Sequence, residues 1–435
     1  MNLKECTLLH IGDVHYRDID RDERPVDMKD KQFPESLDEI LPERIYETVL
    51  KYFLSEAEKA PLAILLSGDL TTYGEVESLK NCLFFLKSRI PSNFFEKTSF
   101  QTLFIVPGNH DIDRKLFCEN SLYPKFRPMV KTLEAYNFPE IRLYGVIKEE
   151  LPINSFGKIL IIAINSCLGC GEKRYFPEQI RYRLYELLKY PKGAEEEEEI
   201  KKICHENIDT PIFRTDDIEK TVEYIKSAKR VCMPIILTHH NLLPQRRPRI
   251  AMYTELINSG YMREELLRLN RPIIYLHGHI HDDPIEIIHS SKYKNARLIL
   301  ISAPLLIPNK IYRGSKCGFN KIKLFYGNCG IPVGCEITLY RMLHGDRDIK
   351  TERIPFWTPP ASKSLANEDE RKTLRYIPKK EINLTDLMKI MKDKGESPEI
   401  EEIEKHVDAL SWLGLVEYTK RDFLIPMRSV KKVTL

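Results

Sequence analysis

The sequence predicts an α/β protein, and two alternating patterns in the chain support that prediction. Short runs rich in Ile, Leu and Val recur along the first three-quarters of the chain, and such runs are typical of buried strands. Between several of them lie segments with apolar residues at helical spacing, over 42–60, 75–90 and 216–229. Strands that alternate with helices indicate an α/β or layered sandwich architecture. The predicted strands begin near Cys6, Pro61, Thr102, Lys158, Met233, Arg271 and Ala296.

The composition is that of a globular chain close to electrical neutrality. Of its 435 residues, 42% are hydrophobic and 30% are charged, and the formal net charge is +3. This charge neither requires nor excludes a polyanionic partner. The first residues lack a signal-peptide core, and no apolar run approaches the ~20 residues that span a bilayer. Together with ten scattered cysteines, these features predict a cytoplasmic protein with reduced thiols and no membrane partner.

We expect three parts along the chain: a large domain over 1–345, a linker over 346–372 and a small α+β domain over 373–435. The polar, proline-containing stretch 358–370 is typical of a linker. The order helix, helix, glycine, hairpin in the last part resembles a winged helix. From Lys379 onward it carries eleven Lys/Arg and eleven Asp/Glu. A protein partner or a second copy of the chain is therefore as well supported as DNA.

Within the small domain, the sequence predicts where the elements begin and turn. Thr385 is expected to cap the first helix, and Ser397-Pro398-Glu399 is expected to begin the second. The two strands of the hairpin are expected over 415–418 and 423–426.

Five clusters of polar residues directly follow predicted strands. Strand ends at one edge of a sheet are where α/β folds assemble sites, because loops converge there on a rigid support. The clusters offer carboxylate, amide and imidazole donors without a thiolate, a set that favours Mn²⁺, Fe or Zn²⁺ over Mg²⁺ or Ca²⁺. Alternate residues of an extended backbone point the same way, so we expect Asp13 and His15 to face one metal centre, and likewise His279 and His281. The clusters are Asp13-Val14-His15, Gly68-Asp69, Gly108-Asn109-His110-Asp111, His239-His240 and Gly278-His279-Ile280-His281.

In this order, the five clusters resemble the motif set of the calcineurin-like metallophosphoesterase superfamily, over roughly residues 1–345. Any one cluster arises by chance in many chains, but five in this order at strand ends form a specific set. The resemblance implies a four-layer αββα fold, in which two mixed sheets pack together between helices, and it makes 1–345 the catalytic domain. It also implies an enzyme with two divalent metal ions, Mn²⁺ first among them and Fe or Zn²⁺ next.

The resemblance further implies a role for each matched residue. His110 would contact the phosphoryl oxygens or protonate the leaving group, a contribution of roughly 10²–10⁴-fold, and His240 would line the substrate pocket beside Asn109. Two such ions would hold a bridging hydroxide for in-line attack on phosphorus. Seven ligands are implied: Asp13, His15 and His281 for the first ion, Asn109, His239 and His279 for the second, and Asp69 bridging both.

Residues around these motifs narrow the expected substrate. Ser/Thr protein phosphatases carry Asp and Arg shortly after the Gly-Asp and a Glu after the Asn-His, whereas this chain has Leu70-Thr71-Thr72 and Asp111 there. The stretch 67–71 with Gly74, together with the double histidine, is closest in motif to class III cyclic-nucleotide phosphodiesterases. Double-strand-break repair exonucleases share the Asp but usually continue the Gly-Asp-Leu with an aromatic residue and Asp. The expected substrate is therefore a phosphodiester of a nucleotide or a nucleic acid.

Three functions stay open on the sequence. The first is a phosphodiesterase for cyclic or linear nucleotides. The second is a DNA or RNA nuclease in nucleic-acid processing or defence that uses the C-terminal domain to bind substrate or partner. The third is a non-enzymatic, metal-stabilised scaffold, which the intact ligand set disfavours. Arg246, Arg247 and Arg249 follow the double histidine, where they are expected either to meet a phosphate backbone or to form a solvated basic loop.

One motif stands apart from the five clusters. Cys167 and Cys170 form a CxxC, with Cys204 and His205 further along the chain as conceivable partners for zinc. The spacing matches no common zinc module. A loop that follows a strand is therefore the expected structure of this segment.

Overall fold

A computed structural model describes most of the chain, and the statements below concern only the residues that it describes. They are 4–16, 40–72, 74–96, 100–113, 123–153, 157–170, 210–228, 232–244, 256–280, 284–293, 295–306, 316–326, 332–343, 348–357, 366–412, 415–419 and 424–432.

Two six-stranded sheets account for most of the strands. The first contains β1 Lys4–Ile11, β2 Ala63–Leu66, β3 Leu103–Ile105, β10 Lys316–Tyr326, β11 Pro332–Leu343 and β12 Lys350–Trp357. The second contains β4 Val146–Ile153, β5 Gly157–Ile164, β6 Cys232–Leu237, β7 Pro272–His277, β8 Ile285–His289 and β9 Arg297–Ser302. The seven strands predicted for the large domain are all present in these two sheets.

The strand order places several carboxyl ends side by side in each sheet. The first sheet has the order β12–β11–β10–β1–β2–β3, and β1, β2 and β3 run parallel with Ile11 opposite Leu66 and Leu66 opposite Ile105. The second has the order β4–β5–β6–β7–β9–β8, and β5, β6, β7 and β9 run parallel with Leu237 opposite Leu276. The second sheet is mixed, because β4 runs antiparallel to β5 and β8 runs antiparallel to β9. Strands β12, β11 and β10 complete the first sheet beside β1. Loops that leave the parallel strands therefore start from one edge of each sheet.

Helices cover the parallel strands of both sheets. α1 Ile40–Ala57, α2 Val76–Arg89 and α3 Tyr123–Ala135 share a buried apolar cluster with β1, β2 and β3. α4 Thr215–Ser227 and α5 Ser259–Arg268 do the same with β5, β6 and β7. Strands β2 and β6 are buried at every position, as expected of parallel strands that are covered on both faces.

The C-terminal residues form a small α+β module with its own apolar core. It consists of α6 Glu368–Tyr376, β13 Ile382–Asn383, α7 Leu384–Asp393, α8 Ile400–Trp412, β14 Val416–Thr419 and β15 Ser429–Lys432. The strands form an antiparallel sheet in the order β13–β15–β14. Every member of the core lies within this segment, from Ala366 to Val430.

Two local predictions for this module were wrong. Asn383 caps α7 by accepting a hydrogen bond from the Asp386 amide at 2.7 Å, whereas the Thr385 hydroxyl donates to the Pro426 carbonyl. The second hairpin strand is β15 and not 423–426, because Ile425–Met427 forms a 3-10 turn in which proline has no N–H for a ladder. The predicted turn residues 420–422 lie outside the described residues.

The segment predicted as a linker is partly regular. Strand β12 and the start of α6 both fall within 346–372, while 358–365 lie outside the described residues. By its internal contacts, the chain divides into two compact units: Thr7–Lys321 with Leu339–Glu352, and Met1–Cys6 with Ile322–Thr338 and Arg353–Leu435. None of the described helices combines the length and the apolar character that crossing a membrane requires.

Candidate metal centre

The predicted metal ligands lie in loops just beyond the parallel strands. Asp13 follows β1, Asp69 follows β2 and Asn109 follows β3, while His239 and His279 follow β6 and β7. All five side chains are buried. The parallel registers explain this convergence, since strands in register deliver their following loops to the same edge.

Hydrogen bonds tie the loops of the two sheets together. The Nδ1 of His239, beyond the second sheet, lies 2.7 Å from the carbonyl oxygen of Ser67, beyond the first. The amide of His279 donates to Asp13 Oδ1 at 2.9 Å. These contacts bring ligands from both sheets into one centre.

The prediction that Asp13/His15 and His279/His281 align along an extended backbone was wrong for the three residues described. Asp13 and His15 have φ of 49° and 40°, and His279 has φ of 71°. Asp69 shares this left-handed conformation with φ of 52°. Each such non-glycine residue costs on the order of 1–3 kcal/mol and persists only where its surroundings impose it. The loops, and not strand alternation, therefore aim these side chains.

Two glycines allow the close approach of the β2 and β3 loops. A Cβ on Gly108 would lie 2.0 Å from Asp69 Oδ1. Gly68 has φ of +94°, and a Cβ there would lie 2.6 Å from the Gly108 amide nitrogen. Any larger residue at either position would displace the Asp69 carboxylate or its loop.

One half of the centre is formed by Asp13, His15 and Asp69. One ligand atom from each lies within 4.8 Å of the others, and all three are buried. Asp13 Oδ2 is buried and has no hydrogen-bond partner among the described residues. A buried carboxylate oxygen in this position is costly unless it binds a cation or a proton. The three side chains could hold a metal ion.

The other half contains Asn109, His239 and His279. Asn109 Oδ1 lies 2.8 Å from His239 Nε2 and 3.1 Å from His279 Nδ1. Because His239 donates its Nδ1 proton to a backbone carbonyl, its neutral form turns the Nε2 lone pair toward the amide oxygen. Ligating histidines usually donate their second nitrogen in this way. Three lone-pair donors that converge on one point suit a shared cation.

Asp69 lies between the two halves. Its Oδ2 is 3.5 Å from His15 Nε2 and 3.3 Å from His239 Nε2. Its Oδ1 accepts a hydrogen bond from the His110 amide at 2.9 Å, which orients the carboxylate. The position fits a carboxylate that bridges two ions.

The electrostatics of the cluster favour added positive charge. Burial raises the pKa of the Asp13 carboxyl to about 8. Burial alone would raise the pKa of Asp69 and lower that of His239, but their mutual attraction holds the pKa of Asp69 well below and that of His239 well above the ordinary value. The Asp69 carboxylate is thus stabilised by positive charge on nearby imidazoles, a role that divalent metal ions can also fill.

His110 stands beside the predicted ligands. Its Nδ1 donates a hydrogen bond to the Thr72 carbonyl at 2.8 Å, which fixes the orientation of the ring. Its ring centroid lies 5.0 Å from that of His15, and the side chain is partly exposed. Such a group can meet a substrate at the edge of the centre.

The structure adds Asp111 and Thr71 to the site, although the sequence had marked Asp111 only as a subfamily feature. Asp111 is fully buried and accepts hydrogen bonds from the amides of Thr71 and Gly108, each at 2.9 Å. Burial raises the pKa of its carboxyl to about 7. It joins the β2 and β3 loops and thereby positions both Asp69 and His110.

Ser166 was missed by the sequence reasoning. Its Oγ lies 2.8 Å from His240 Nδ1 and accepts a hydrogen bond from the His240 amide at 3.2 Å. The signal available in the sequence was its place just beyond β5, the same kind of place that holds the five clusters. His240 itself is fully buried.

Several predicted residues lie outside the described part of the chain. They are His281 among the metal ligands, Arg246, Arg247 and Arg249 among the basic residues, and Cys204 with His205 beyond the CxxC.

Comparisons with known proteins give one similar solved structure and one matching family. A solved dimetal phosphatase from Danio rerio is similar to the chain with a TM-score of 0.44 and 13% sequence identity, over 81% of this chain and 99% of that chain. No curated protein matches the chain. The sequence model of the calcineurin-like phosphoesterases matches residues 6–283, well over half of the chain and all five polar clusters. The chain therefore belongs to the calcineurin-like phosphoesterase family and is a metal-dependent phosphoesterase, with the dinuclear divalent metal centre of that family.

Proposed function

We propose that the protein is a phosphodiesterase that hydrolyses a phosphodiester of a nucleotide or a nucleic acid. The observation that carries the proposal is the position of Asp69 between two groups of buried ligands. In the proposed site, Asp13, His15 and His281 hold one ion, Asn109, His239 and His279 hold the other, and Asp69 bridges them. Mn²⁺ is the proposed metal, with Fe or Zn²⁺ as alternatives that the oxygen and imidazole donors also suit.

A pair of divalent ions bound there supplies Lewis acidity toward a phosphate ester and toward the attacking water. The residues of the chain hold the reacting groups in position and supply protons. Asp69 Oδ1 holds the His110 amide, and the Thr72 carbonyl holds His110 Nδ1. The role proposed for His110, held by these two hydrogen bonds, is to deliver a proton to the departing oxygen.

The loop after Asp69 supports a diester over a monoester. A phosphate monoester carries up to two negative charges near neutral pH, whereas a diester carries one. Where protein phosphatases carry charged residues, this chain has Thr71, whose hydroxyl bonds the His110 carbonyl at 2.9 Å and whose amide bonds Asp111. The loop therefore holds the site in place by hydrogen bonds. It contributes no positively charged side chain that would neutralise a second negative charge on the phosphate.

Two further features belong to the proposal. The two sheets with outer helices are proposed to form the four-layer αββα sandwich, and 1–345 to be the catalytic domain. The module over 373–435, joined by 346–372, is proposed to be winged-helix-like, since its order of helices and antiparallel strands suits that arrangement. We propose that it binds substrate, a protein partner or a second copy of the chain, in a cytoplasmic protein without a membrane partner.

A nuclease is the second candidate, and the three arginines at 246, 247 and 249 are the feature that favours it. The proposed substrate-binding residues are Asn109, His110, His240, Arg246 and Arg247. A substrate panel with Mn²⁺ separates the candidates: bis-p-nitrophenyl phosphate, its monoester, cyclic nucleotides, and labelled single- and double-stranded DNA. Turnover of the monoester alone would contradict the proposal. Cleavage of DNA without any small diester would rule out the nucleotide substrate and select the nuclease.

Asp69→Asn tests the dinuclear mechanism directly. We expect it to lower kcat/KM for the best diester at least ~100-fold, because loss of a bridging carboxylate removes several kcal/mol of charge stabilisation. Metal analysis should show a lower metal content than in the unmodified chain. Asp217→Asn, which alters a buried carboxylate in α4, is the matched control and should keep both ions. Full activity in Asp69→Asn would show that the mechanism is wrong.

A further inference from the structure

Two cysteines and a histidine meet beside the proposed dinuclear centre, and nothing in that centre uses the cysteines. One ligand atom each of Cys167, Cys170 and His240 lies within 4.8 Å of the others. All three side chains are fully buried. Cys167 Sγ lies 3.9 Å from His240 Nδ1. The thiols are 73 and 70 positions before the histidine in the chain, so only the fold brings them together.

The separations are close to those of a tetrahedral metal site. Zn–S bonds of ~2.3 Å and Zn–N bonds of ~2.0–2.1 Å place sulfur and nitrogen ligands about 3.6 Å apart. The 3.9 Å between Cys167 Sγ and His240 Nδ1 is within a few tenths of that value. Even the 4.8 Å limit of the group requires a contraction of only ~1 Å, which side-chain rotation can supply.

The turn that carries the thiols is held in place before any ion binds. The Cys170 amide donates to the Cys167 carbonyl at 3.1 Å. Lys125, a buried lysine of α3, donates to the carbonyls of Leu168 and Cys170 at 2.9 and 2.6 Å. Preorganised ligands lose less conformational entropy when a metal binds.

We propose that Cys167, Cys170 and His240 form a third metal site that binds a thiophilic divalent ion, Zn²⁺. This inference goes beyond the proposed phosphodiesterase function and does not depend on it. Thiolates select Zn²⁺ over Mn²⁺, whereas the carboxylate, amide and imidazole donors around Asp69 do not. Cys₂His sites occupy three corners of the tetrahedron and leave one for an oxygen ligand.

Binding at this site exchanges protons for the metal. Cys167 Sγ donates a hydrogen bond to the Pro107 carbonyl at 3.1 Å and is therefore a thiol there. On binding Zn²⁺, both thiols release their protons to solvent and become the two thiolate ligands. Pro107 precedes Gly108 and Asn109, so loss of this hydrogen bond on metal binding would be felt in the loop that supplies a proposed ligand to the dinuclear centre.

Cobalt replacement gives a readout that does not depend on activity. The full chain is stripped of metal under reducing conditions, reloaded with Co²⁺, and examined for thiolate-to-Co²⁺ charge-transfer absorption. Because the dinuclear centre has no thiolate, this band reports the third site alone. We expect the band in the unmodified chain, its loss on competition with Zn²⁺, and three ions per chain by metal analysis.

Matched variants assign the band to its residues. Cys167→Ala and Cys170→Ala should each abolish it and lower the content by one ion, while Cys317→Ala, another buried cysteine, should leave both unchanged. Asp69→Asn should keep the band even if it disables the dinuclear centre. Circular dichroism checks that each variant is folded, and should the cysteine variants fail to fold, the spectrum of the unmodified chain still decides. Absence of the band from that chain, or its survival in Cys167→Ala, would overturn the proposal.

Discussion

Four of the proposed metal ligands share a backbone conformation that residues other than glycine rarely adopt. Asp13, His15, Asp69 and His279 all have φ between 40° and 71°. Since each costs on the order of 1–3 kcal/mol, the loops hold side chains where function requires them at the expense of stability. Such strain is a common feature of sites that must be organised before a substrate arrives.

His110 is the residue whose role can be separated from metal binding. We expect His110→Ala to lower kcat roughly 10²–10⁴-fold with a diester whose leaving group is a sugar hydroxyl, because that oxygen needs a proton as it departs. With bis-p-nitrophenyl phosphate the loss should be much smaller, since p-nitrophenolate leaves without one. Steady-state kinetics with both substrates measures the difference. An equal loss with both, or a loss of metal, would assign His110 to another role.

Asp13 and Asp111 make the stability of the folded protein depend on pH. Burial raises the pKa of these carboxyls to about 8 and about 7 in the folded chain, against ~3.9 when unfolded. The folded chain therefore binds more protons, and this contribution to stability is complete below about pH 4 and is lost as the pH rises through 7 and 8.

We expect divalent metal to replace those protons. The gain in melting temperature on adding Mn²⁺ to metal-stripped chain should be larger at about pH 8 than at about pH 6. Thermal melts at matched ionic strength, with and without the ion, measure it. Asp13→Asn should reduce the pH dependence of the gain. A gain that is the same at both pH values would argue against these carboxylates as the linked groups.

At the scale of elements, the parallel strands form a rigid support, and the loops that follow them carry the residues of the candidate site. Asp111 joins the loops after β2 and β3 through two backbone amides. Ser166, beyond β5, joins the loop after β6 through His240. The site is thus braced by side chains that themselves contact neither substrate nor the proposed ions.

Lys125 joins α3 to the turn beyond β5 by two hydrogen bonds. Replacing its side chain tests whether these bonds stabilise the protein. Lys125→Met should lower the free energy of unfolding by about 2–4 kcal/mol, because two buried carbonyls lose their charged donor. Denaturant unfolding measures the change. Lys131→Met, on the exposed side of the same helix, should change it by no more than ~0.5 kcal/mol. Equal stabilities of the two variants would show that the turn does not depend on Lys125.

At the scale of the whole molecule, the C-terminal module has a core made only of its own residues, Ala366 to Val430. We therefore expect a chain that ends after residue 365 to hydrolyse bis-p-nitrophenyl phosphate within ~2-fold of the full chain. If the module binds substrate, the same truncation should lower the affinity for DNA, whose backbone contributes most of the binding energy. Loss of small-diester hydrolysis in a folded truncation would instead assign the module to the catalytic centre.

The sequence anticipated the strands that are apolar throughout and missed those that are not. β2 and β6 are buried at every position, so their composition reveals them. β4 and β8 have exposed residues at intervals and charged side chains, and β10 to β12 are longer and mixed in polarity. An edge strand is stabilised by hydrogen bonds to one neighbour, which leave little trace in composition.

By itself, the sequence determined the α/β class, the strand ends that carry the polar clusters, and the family, because these depend on local apolar runs and on motif order. The tertiary structure alone decided which side chains meet. It placed Asp69 between the two groups of proposed ligands. It joined the His279 amide to Asp13 by a hydrogen bond, although 266 positions separate the two residues. It also brought His240 next to Ser166 and the CxxC, which lie about 70 positions earlier in the chain. Such contacts depend on how two sheets and their loops pack, and no local pattern encodes the distance between residues so far apart in the chain.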